Sequence, residues 1–191
     1  MTGGATASYG SGVHAIEPTP ASPRLSYRRL CAELAEDLYR LARDAHVRRY
    51  LLDGALVSRA WADDVVRASD ALFESYGAGL WLVSEQRAPE VAAGFCGFHV
   101  FPEVEDEPQL LYALREEHTG RGYATEMGRA LLDVAFDVLG HLVVHSAVDE
   151  PNVASVRVLE KLGFTPRGSV AGAFGRIVLF EMRAPQRHPP R

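Results

Sequence analysis

Residues 110–127 read LLYALREEHTGRGYATEM, and this stretch decides the fold. The apolar run Leu110–Leu114 predicts a buried strand, and Gly120 and Gly122 predict a tight turn after it. Beyond the turn, apolar residues recur at the spacing of an amphipathic helix, namely at Met127, Ala130, Leu131, Val134, Ala135, Val138 and Leu139. The first N–H groups of a helix have no partner within it, and the helix dipole favours an anion at that end. The turn therefore predicts a site for a phosphorylated ligand.

Composition and charge narrow the class of protein. The chain has 191 residues, of which 47% are hydrophobic, and this is typical of one globular domain. A formal net charge of −5 argues against a nucleic-acid partner. No apolar run approaches the roughly 20 residues that span a membrane, and the first residues lack the pattern of a secretory signal. We therefore expect a cytoplasmic protein without a membrane partner.

The two cysteines, Cys31 and Cys96, lie far apart and do not have the spacing of metal ligands. They fit a reducing compartment and small apolar positions in the core. We therefore expect no metal cofactor.

The order of the elements predicts the fold class. Residues 1–22 are rich in small and polar residues and predict a disordered tail, residues 23–183 predict one domain, and residues 184–191 predict a loose tail. Within the domain we expect one strand, two or three helices, three strands, the long helix, a strand, a helix and two final strands. This order predicts a mixed α+β sheet, because it lacks the strict strand–helix alternation of a doubly wound fold.

Two motifs together resemble the GNAT N-acetyltransferases. One is Gly120–Glu126 with the helix that follows, and the other is Asn152–Phe164, which reads NVASVRVLEKLGF. The chain is most similar to the RimJ/RimL-like branch, which includes enzymes that acetylate the N-terminal amines of ribosomal proteins. The resemblance covers about residues 23–183. It implies a mixed, mostly antiparallel sheet of about seven strands flanked by about four helices, with acetyl-CoA as cosubstrate.

The resemblance also assigns the residues that bind the cofactor. The family's acetyl-CoA loop has the form Gln/Arg-x-x-Gly-x-Gly/Ala, and here it fits residues 119–124, with Thr119 in the leading position. A pyrophosphate can bind such a turn through backbone N–H groups alone, so the leading side chain is dispensable. The family's pantetheine contacts map to the main chain of the central strand and to one side-chain amide. The implied cofactor-binding residues are Tyr112, Ala113, Leu114, Thr119, Gly120, Arg121, Gly122, Tyr123, Ala124 and Asn152.

The catalytic residues are harder to assign. Many GNAT enzymes have a tyrosine general acid at the position of Leu159, whereas enzymes resembling this branch have been assigned a serine at the position of Ser155. A glutamate base of some relatives falls at Ala147. Asp149 lies two residues further along the same strand and would point to the same side, so we take it as the candidate base.

Simpler interpretations stay open for several of these residues. Asn152 could act as a helix cap, and Ser155 could be a solvated residue of a first helical turn. His99 and His145 could accept a proton, but histidines inside strands are more often hydrogen-bonded core residues. Tyr112 is more simply explained by packing.

The favoured function is transfer of an acetyl group from acetyl-CoA to a primary amine, by direct attack within a ternary complex. The favoured acceptor is the N-terminal α-amine of a peptide or protein. We expect the enzyme itself to be a monomer or a homodimer. A small-molecule amine such as an amino sugar or a polyamine is the alternative, and the acidic stretch Glu103–Glu107 could attract such a cation. A nucleotide binder or a non-catalytic acyl-CoA module also stays open. A covalent route through Cys96 is disfavoured, because no base is adjacent in sequence.

Overall fold

The computed structural model describes residues 18–172 and 175–185, and there it has the expected α+β architecture. The strands are β1 (Leu25–Arg29), β2 (Leu80–Glu85), β3 (Ala88–Phe101), β4 (Glu105–Leu114), β5 (Val143–Asp149), β6 (Thr165–Gly172) and β7 (Gly175–Arg183). The helices are α1 (Ala35–Ala42), α2 (Ala45–Leu51), α3 (Arg59–Ser75), α4 (Tyr123–Asp133) and α5 (Val153–Leu162). In this part of the chain there are thus five α-helices, where the sequence predicts about four.

The predicted tails fall largely at residues 1–17 and 186–191, which lie outside the described residues. Within residues 18–172 and 175–185, none of the helices is both long enough and apolar enough to cross a membrane.

The strands form one sheet in the order β1-β2-β3-β4-β5-β7-β6. Every neighbouring pair is antiparallel except β4 and β5, which run parallel and pair through Gln109 and His145. The expectation of a mixed, mostly antiparallel sheet is confirmed. The parallel pair lies at the centre of the sheet, directly before the glycine turn.

Two hydrophobic clusters cover the two faces of the sheet. Leu110 and Leu114 of β4 pack in the cluster that contains Met127 of α4. Leu111 and Ala113 pack in the other cluster, with residues of α1 and α3. Successive residues of a strand point to opposite faces, so β4 is apolar on both sides. This double burial explains why its sequence shows an uninterrupted apolar run.

The helix boundaries follow local chemistry. Ser58 is the N-cap of α3, because its side chain accepts a hydrogen bond from the Trp61 N–H. Helix α4 widens into a π-helical turn at Val134–Val138, where the Leu139 N–H donates to the Val134 carbonyl oxygen. The wider turn rotates the apolar stripe, so Val138 is 62% exposed, and its predicted place in the buried stripe is wrong.

Candidate active site

The glycine turn has the backbone conformation that its sequence predicts. Gly120 has φ 71° and Gly122 has φ 81°, both in the left-handed region that favours glycine. Gly122 is the N-cap of α4 and offers no side chain to the first N–H groups of the helix. Gly120, Gly122, Tyr123, Ala124 and Thr125 line one end of a cleft of about 850 Å³. The turn therefore presents backbone N–H groups and the positive end of α4 to the cleft, which suits an anion.

A buried carboxylate holds this turn in place. Glu85, at the end of β2, is 4% exposed and lies 3.0 Å from Nδ1 of His118 and 3.2 Å from Nη1 of Arg121. Hydrogen bonds from Arg87, and secondarily from His118, hold the pKa of Glu85 below its ordinary value against the effect of burial. The Arg121 side chain is thus bound to Glu85 and does not line the main cleft, so its predicted cofactor contact would have to use the main chain.

Arg24, directly before β1, supports the turn from the other side. The backbone N–H and the guanidinium of Arg24 both donate to the carboxylate of Glu126, in the first turn of α4. The same guanidinium donates to the Arg121 carbonyl oxygen at 3.0 Å and lies 4.6 Å from the ring centroid of Tyr123. The turn is therefore preorganised by contacts with β1 and β2.

The central gap in the sheet forms the middle of the cleft. Beside the Gln109–His145 pair, the hydroxyl of Ser146 donates to the Leu110 carbonyl oxygen at 2.9 Å. Beyond this point Tyr112, Ala113 and Leu114 line the cleft instead of pairing with β5. Their main-chain groups on that edge can pair with a ligand that carries peptide-like groups. The cleft is therefore continuous from the glycine turn to the centre of the sheet.

Helix α5 borders the same gap. The side chain of Asn152 accepts a hydrogen bond from the Ser155 N–H at 3.2 Å, which makes Asn152 the N-cap of α5. Both residues also line the cleft, so capping leaves the amide nitrogen of Asn152 for a ligand. Leu159 is fully buried and cannot present a proton donor at the family's usual position.

Three side chains in this region were assigned no role from the sequence. Arg157 and Lys161 are four residues apart on α5 and line the cleft, where their charge favours a phosphorylated ligand. The hydroxyl of Tyr112 donates to the Ser155 carbonyl oxygen at 3.3 Å. Burial raises the pKa of Tyr112 to about 12, so this hydroxyl keeps its proton at neutral pH. The spacing of the two cations along α5 was a signal available in the sequence.

Acidic side chains also line the cleft. Asp53, Glu103 and Asp149 line it together with His46 and Tyr50 of α2. Burial, and secondarily the negative charge of Asp53, raises the pKa of Asp149 above its ordinary value. A carboxylate with a raised pKa is a better proton acceptor, which suits the role expected for Asp149.

The residues of the acidic stretch Glu103–Glu107 lie in different environments. Glu103 faces the cleft, whereas Glu105 already belongs to β4 and forms an ion pair with Arg167. Asp106 and Glu107 are exposed. The predicted loop Glu103–Glu107 is therefore corrected to a short turn followed by the start of the strand.

Two other expectations concern buried side chains. Cys96 is fully buried, and burial raises the pKa of its thiol, so the thiolate needed for covalent catalysis is disfavoured.

His99 was expected to be a hydrogen-bonded core histidine, and this is wrong for its Nδ1, which has no hydrogen-bond partner within residues 18–172 and 175–185. Burial also lowers the pKa of His99. Nδ1 of His145 lies 3.9 Å from Oε2 of Glu105.

Comparison with known proteins agrees with this geometry. The profile of the acetyltransferase (GNAT) domain matches residues 24–165. The protein YkkB of Bacillus subtilis is 35% identical over 92 residues, which is 47% of this chain and about half (52%) of YkkB. The uncharacterized N-acetyltransferase p20 of Bacillus licheniformis is 26% identical over 145 residues, covering 76% of this chain and 81% of p20.

Solved structures share the fold. RimL, a ribosomal L7/L12 α-N-protein acetyltransferase solved with coenzyme A, superposes with a TM-score of 0.70 at 18% identity, covering 86% of this chain and 97% of RimL. The aminoglycoside acetyltransferase AAC(6')-Ib, solved with coenzyme A and kanamycin, gives a TM-score of 0.66 at 17% identity, covering 83% of this chain and 94% of that one. The architecture of the sheet is therefore one that is found with coenzyme A bound.

Proposed function

This chain belongs to the GNAT acetyltransferase family, and from that premise we propose that it acetylates the N-terminal α-amine of a peptide or protein. As a member of the family it is an acetyl-CoA-dependent N-acetyltransferase that acts on amines. The observation that carries the proposal is one continuous cleft, which is lined by an anion-binding glycine turn, an open strand edge and acidic side chains. Acetyl-CoA supplies an activated acetyl group as a thioester.

The described residues fit this cosubstrate in three places. The N-cap of α4 at Gly122 suits the pyrophosphate, and the cations Arg157 and Lys161 line the same cleft. The free main-chain edge of Tyr112–Leu114 suits the amides of the pantetheine arm. Backbone N–H groups of that edge would also stabilise the negative charge on the acetyl oxygen as the amine attacks.

The proton transfers are assigned to two side chains. Asp149 accepts a proton from the attacking amine as the new C–N bond forms. The C–S bond breaks, and the Ser155 hydroxyl donates a proton to the departing thiolate. Asp149 then releases its proton to solvent and Ser155 recovers one from solvent, so the step yields free coenzyme A and the N-acetylated product. The direct route needs no covalent enzyme intermediate, in keeping with the buried thiol of Cys96.

The acidic side chains that line the cleft favour a cationic acceptor, and RimL acts on a protein N-terminus whereas AAC(6')-Ib was solved with kanamycin. An amino sugar or a polyamine is therefore the second candidate acceptor. The test is release of free thiol from acetyl-CoA with a panel of N-terminal peptides, lysine peptides, amino sugars and polyamines. Turnover of the N-terminal peptides at the highest kcat/KM is expected. Preferred turnover of a polyamine or an amino sugar would overturn the assignment of the acceptor. If none of the amines in the panel causes thiol release, the assignment of the chain as a catalyst is overturned.

A further inference from the structure

The side chain of Gln109 is buried at the centre of the cleft without a full set of hydrogen bonds. Gln109 is 2% exposed and lines the cleft. Its amide nitrogen has no hydrogen-bond partner in the part of the chain that the structure describes. Buried polar groups in proteins are nearly always hydrogen-bonded, because an unpaired one destabilises the fold. A ligand in the cleft could therefore supply the hydrogen-bond acceptor that this amide nitrogen lacks.

The residues beside Gln109 do not supply the missing bond. Its cross-strand neighbours are His99 on β3 and His145 on β5. Among the described residues, Nδ1 of His99 is itself buried without a hydrogen-bond partner, and Nδ1 of His145 faces Glu105. A polar row thus crosses three strands, and its central residue, Gln109, lines the cleft while its amide nitrogen is buried.

The position of Gln109 along the strand points to the acceptor side. It lies three residues before Tyr112, which is about 10 Å along an extended strand. It shares a face of β4 with Leu111 and Ala113, the face that packs against α1 and α3. The cleft residues of α2 belong to the same side, with Val47 in the same cluster. A cofactor arm that runs along Tyr112–Leu114 from the glycine turn would end before Gln109, so Gln109 lies beyond the end of the arm, where the acceptor would bind.

We propose that Gln109 determines acceptor specificity by donating a hydrogen bond to the carbonyl oxygen of the acceptor's first residue. This inference rests on the proposed function and deepens it. In a peptide α-amine the carbonyl carbon is two bonds from the reacting nitrogen. A hydrogen bond from Gln109 to this carbonyl oxygen would therefore distinguish an N-terminal amine from other amines. A lysine side chain or a polyamine has no oxygen at this distance and leaves the buried amide unpaired. Sites built to hydrogen-bond a substrate discriminate strongly against analogues that lack the group.

The test uses two acceptors and two enzymes. One acceptor is the tripeptide amide of alanine, and the other is its isostere with a trans-alkene in place of the first amide, which keeps the length and shape but removes the oxygen. The variant is Gln109→Met, which keeps the size of the side chain and removes its donor. The two amines differ in pKa, but that difference is common to both enzymes, so it cancels when kcat/KM of the variant is divided by that of wild type for each acceptor.

We expect Gln109→Met to lower kcat/KM roughly 10-fold for the peptide and less than about twofold for the alkene. The melting temperature of the variant should equal or exceed that of wild type, because an unpaired buried amide has been removed. An equal loss with both acceptors, or no loss with either, would overturn the inference while leaving the proposed function intact. If wild type released thiol with neither acceptor, the proposed acetyl transfer to α-amines would fall, and the role of Gln109 with it.

Discussion

The hydroxyl of Tyr112 donates a hydrogen bond to the backbone carbonyl of Ser155 across 3.3 Å, and so ties the central strand to the first turn of α5. The Ser155 N–H is held in turn by the side chain of Asn152. Both backbone polar groups of Ser155 are therefore fixed by residues that line the same cleft. Such support from neighbouring residues is what a precisely placed proton donor requires.

Ser155→Ala should lower kcat by about 10²–10⁴-fold, the range for loss of a general acid, and leave acetyl-CoA affinity within a few-fold. Steady-state kinetics and calorimetric binding of acetyl-CoA measure the two quantities. Ser155→Thr keeps a hydroxyl and serves as the matched control. An unchanged kcat in Ser155→Ala would assign the residue to packing.

Tyr112→Phe removes the hydrogen bond to Ser155 and keeps the ring. We expect a roughly 5-fold lower kcat in the wild-type background, in line with one lost hydrogen bond. If Tyr112 acts by positioning Ser155, the same change should have little effect in the Ser155→Ala background, because the two residues share one role. Equal effects in both backgrounds would show that Tyr112 acts independently of Ser155.

Gly122→Val should abolish stabilisation of the protein by acetyl-CoA in a thermal-shift assay without divalent metal. Valine at φ 81° strains the turn, and its side chain would crowd the anion-binding N–H groups. Gly140→Val is the matched control, since Gly140 has φ 73°, has open space around its Cα and does not line the cleft. That control should lose stability and keep the shift with acetyl-CoA. Wild-type affinity in Gly122→Val would mean that the phosphate site lies elsewhere.

The pH dependence of kcat should report on Asp149. A proton acceptor must be deprotonated, so kcat falls as the pH falls through the raised pKa of Asp149. Asp53→Asn removes a like charge and lowers the pKa of Asp149. This fall in kcat, the acidic limb of the pH profile, should therefore move to lower pH. Asparagine also tolerates the left-handed backbone at Asp53, where φ is 54°.

Asp149→Asn should remove the acidic limb and lower kcat at neutral pH. Glu103→Gln is the control, because Glu103 lines the cleft but is not among the causes of the raised pKa of Asp149. A limb that stays in place in both Asp53→Asn and Asp149→Asn would exclude Asp149 as the base.

A peptide with only a free α-amine should be a better acceptor near neutral pH than one with only a free lysine amine. An α-amine with a pKa of about 7.7–8.0 is neutral in roughly one molecule in six to eleven at pH 7, whereas a lysine amine is neutral about once in 2,500. The measurement is kcat/KM against pH for two peptides of matched sequence. Faster turnover of the lysine peptide at pH 7 would contradict the proposed acceptor.

The sequence predicts the fold well where periodicity and turn chemistry agree. The apolar run of β4 and the glycines at the start of α4 are local signals, and each was confirmed. The π-helical turn was not predicted, because the spacing of apolar residues continues through Val138. Its cause lies in tertiary packing, which a period of 3.6 residues does not encode.

In the candidate site, too, the sequence predicts local features and misses those that join distant parts of the chain. The glycine turn and the cap at Asn152 could be located from sequence, because each depends on a few adjacent residues. The Glu85–Arg121 pair, the influence of Asp53 on Asp149 and the unpaired amide of Gln109 join distant parts of the chain. Such contacts follow from strand order and register, which motifs do not specify. Gln109 does carry one signal, a polar residue at an inward position beside an apolar run.

The parallel pairing of β4 and β5 at Gln109 and His145 also has a mechanical consequence. A sheet resists bending through the continuity of its hydrogen-bond ladder, and here the ladder is interrupted at the centre. When a pantetheine arm fills the gap, as we propose, its amides complete the ladder in the manner of an added strand. The stiffness of the domain would then depend on its own cosubstrate: the two halves of the sheet are rigidly joined while acetyl-CoA is bound and free to flex once coenzyme A has left.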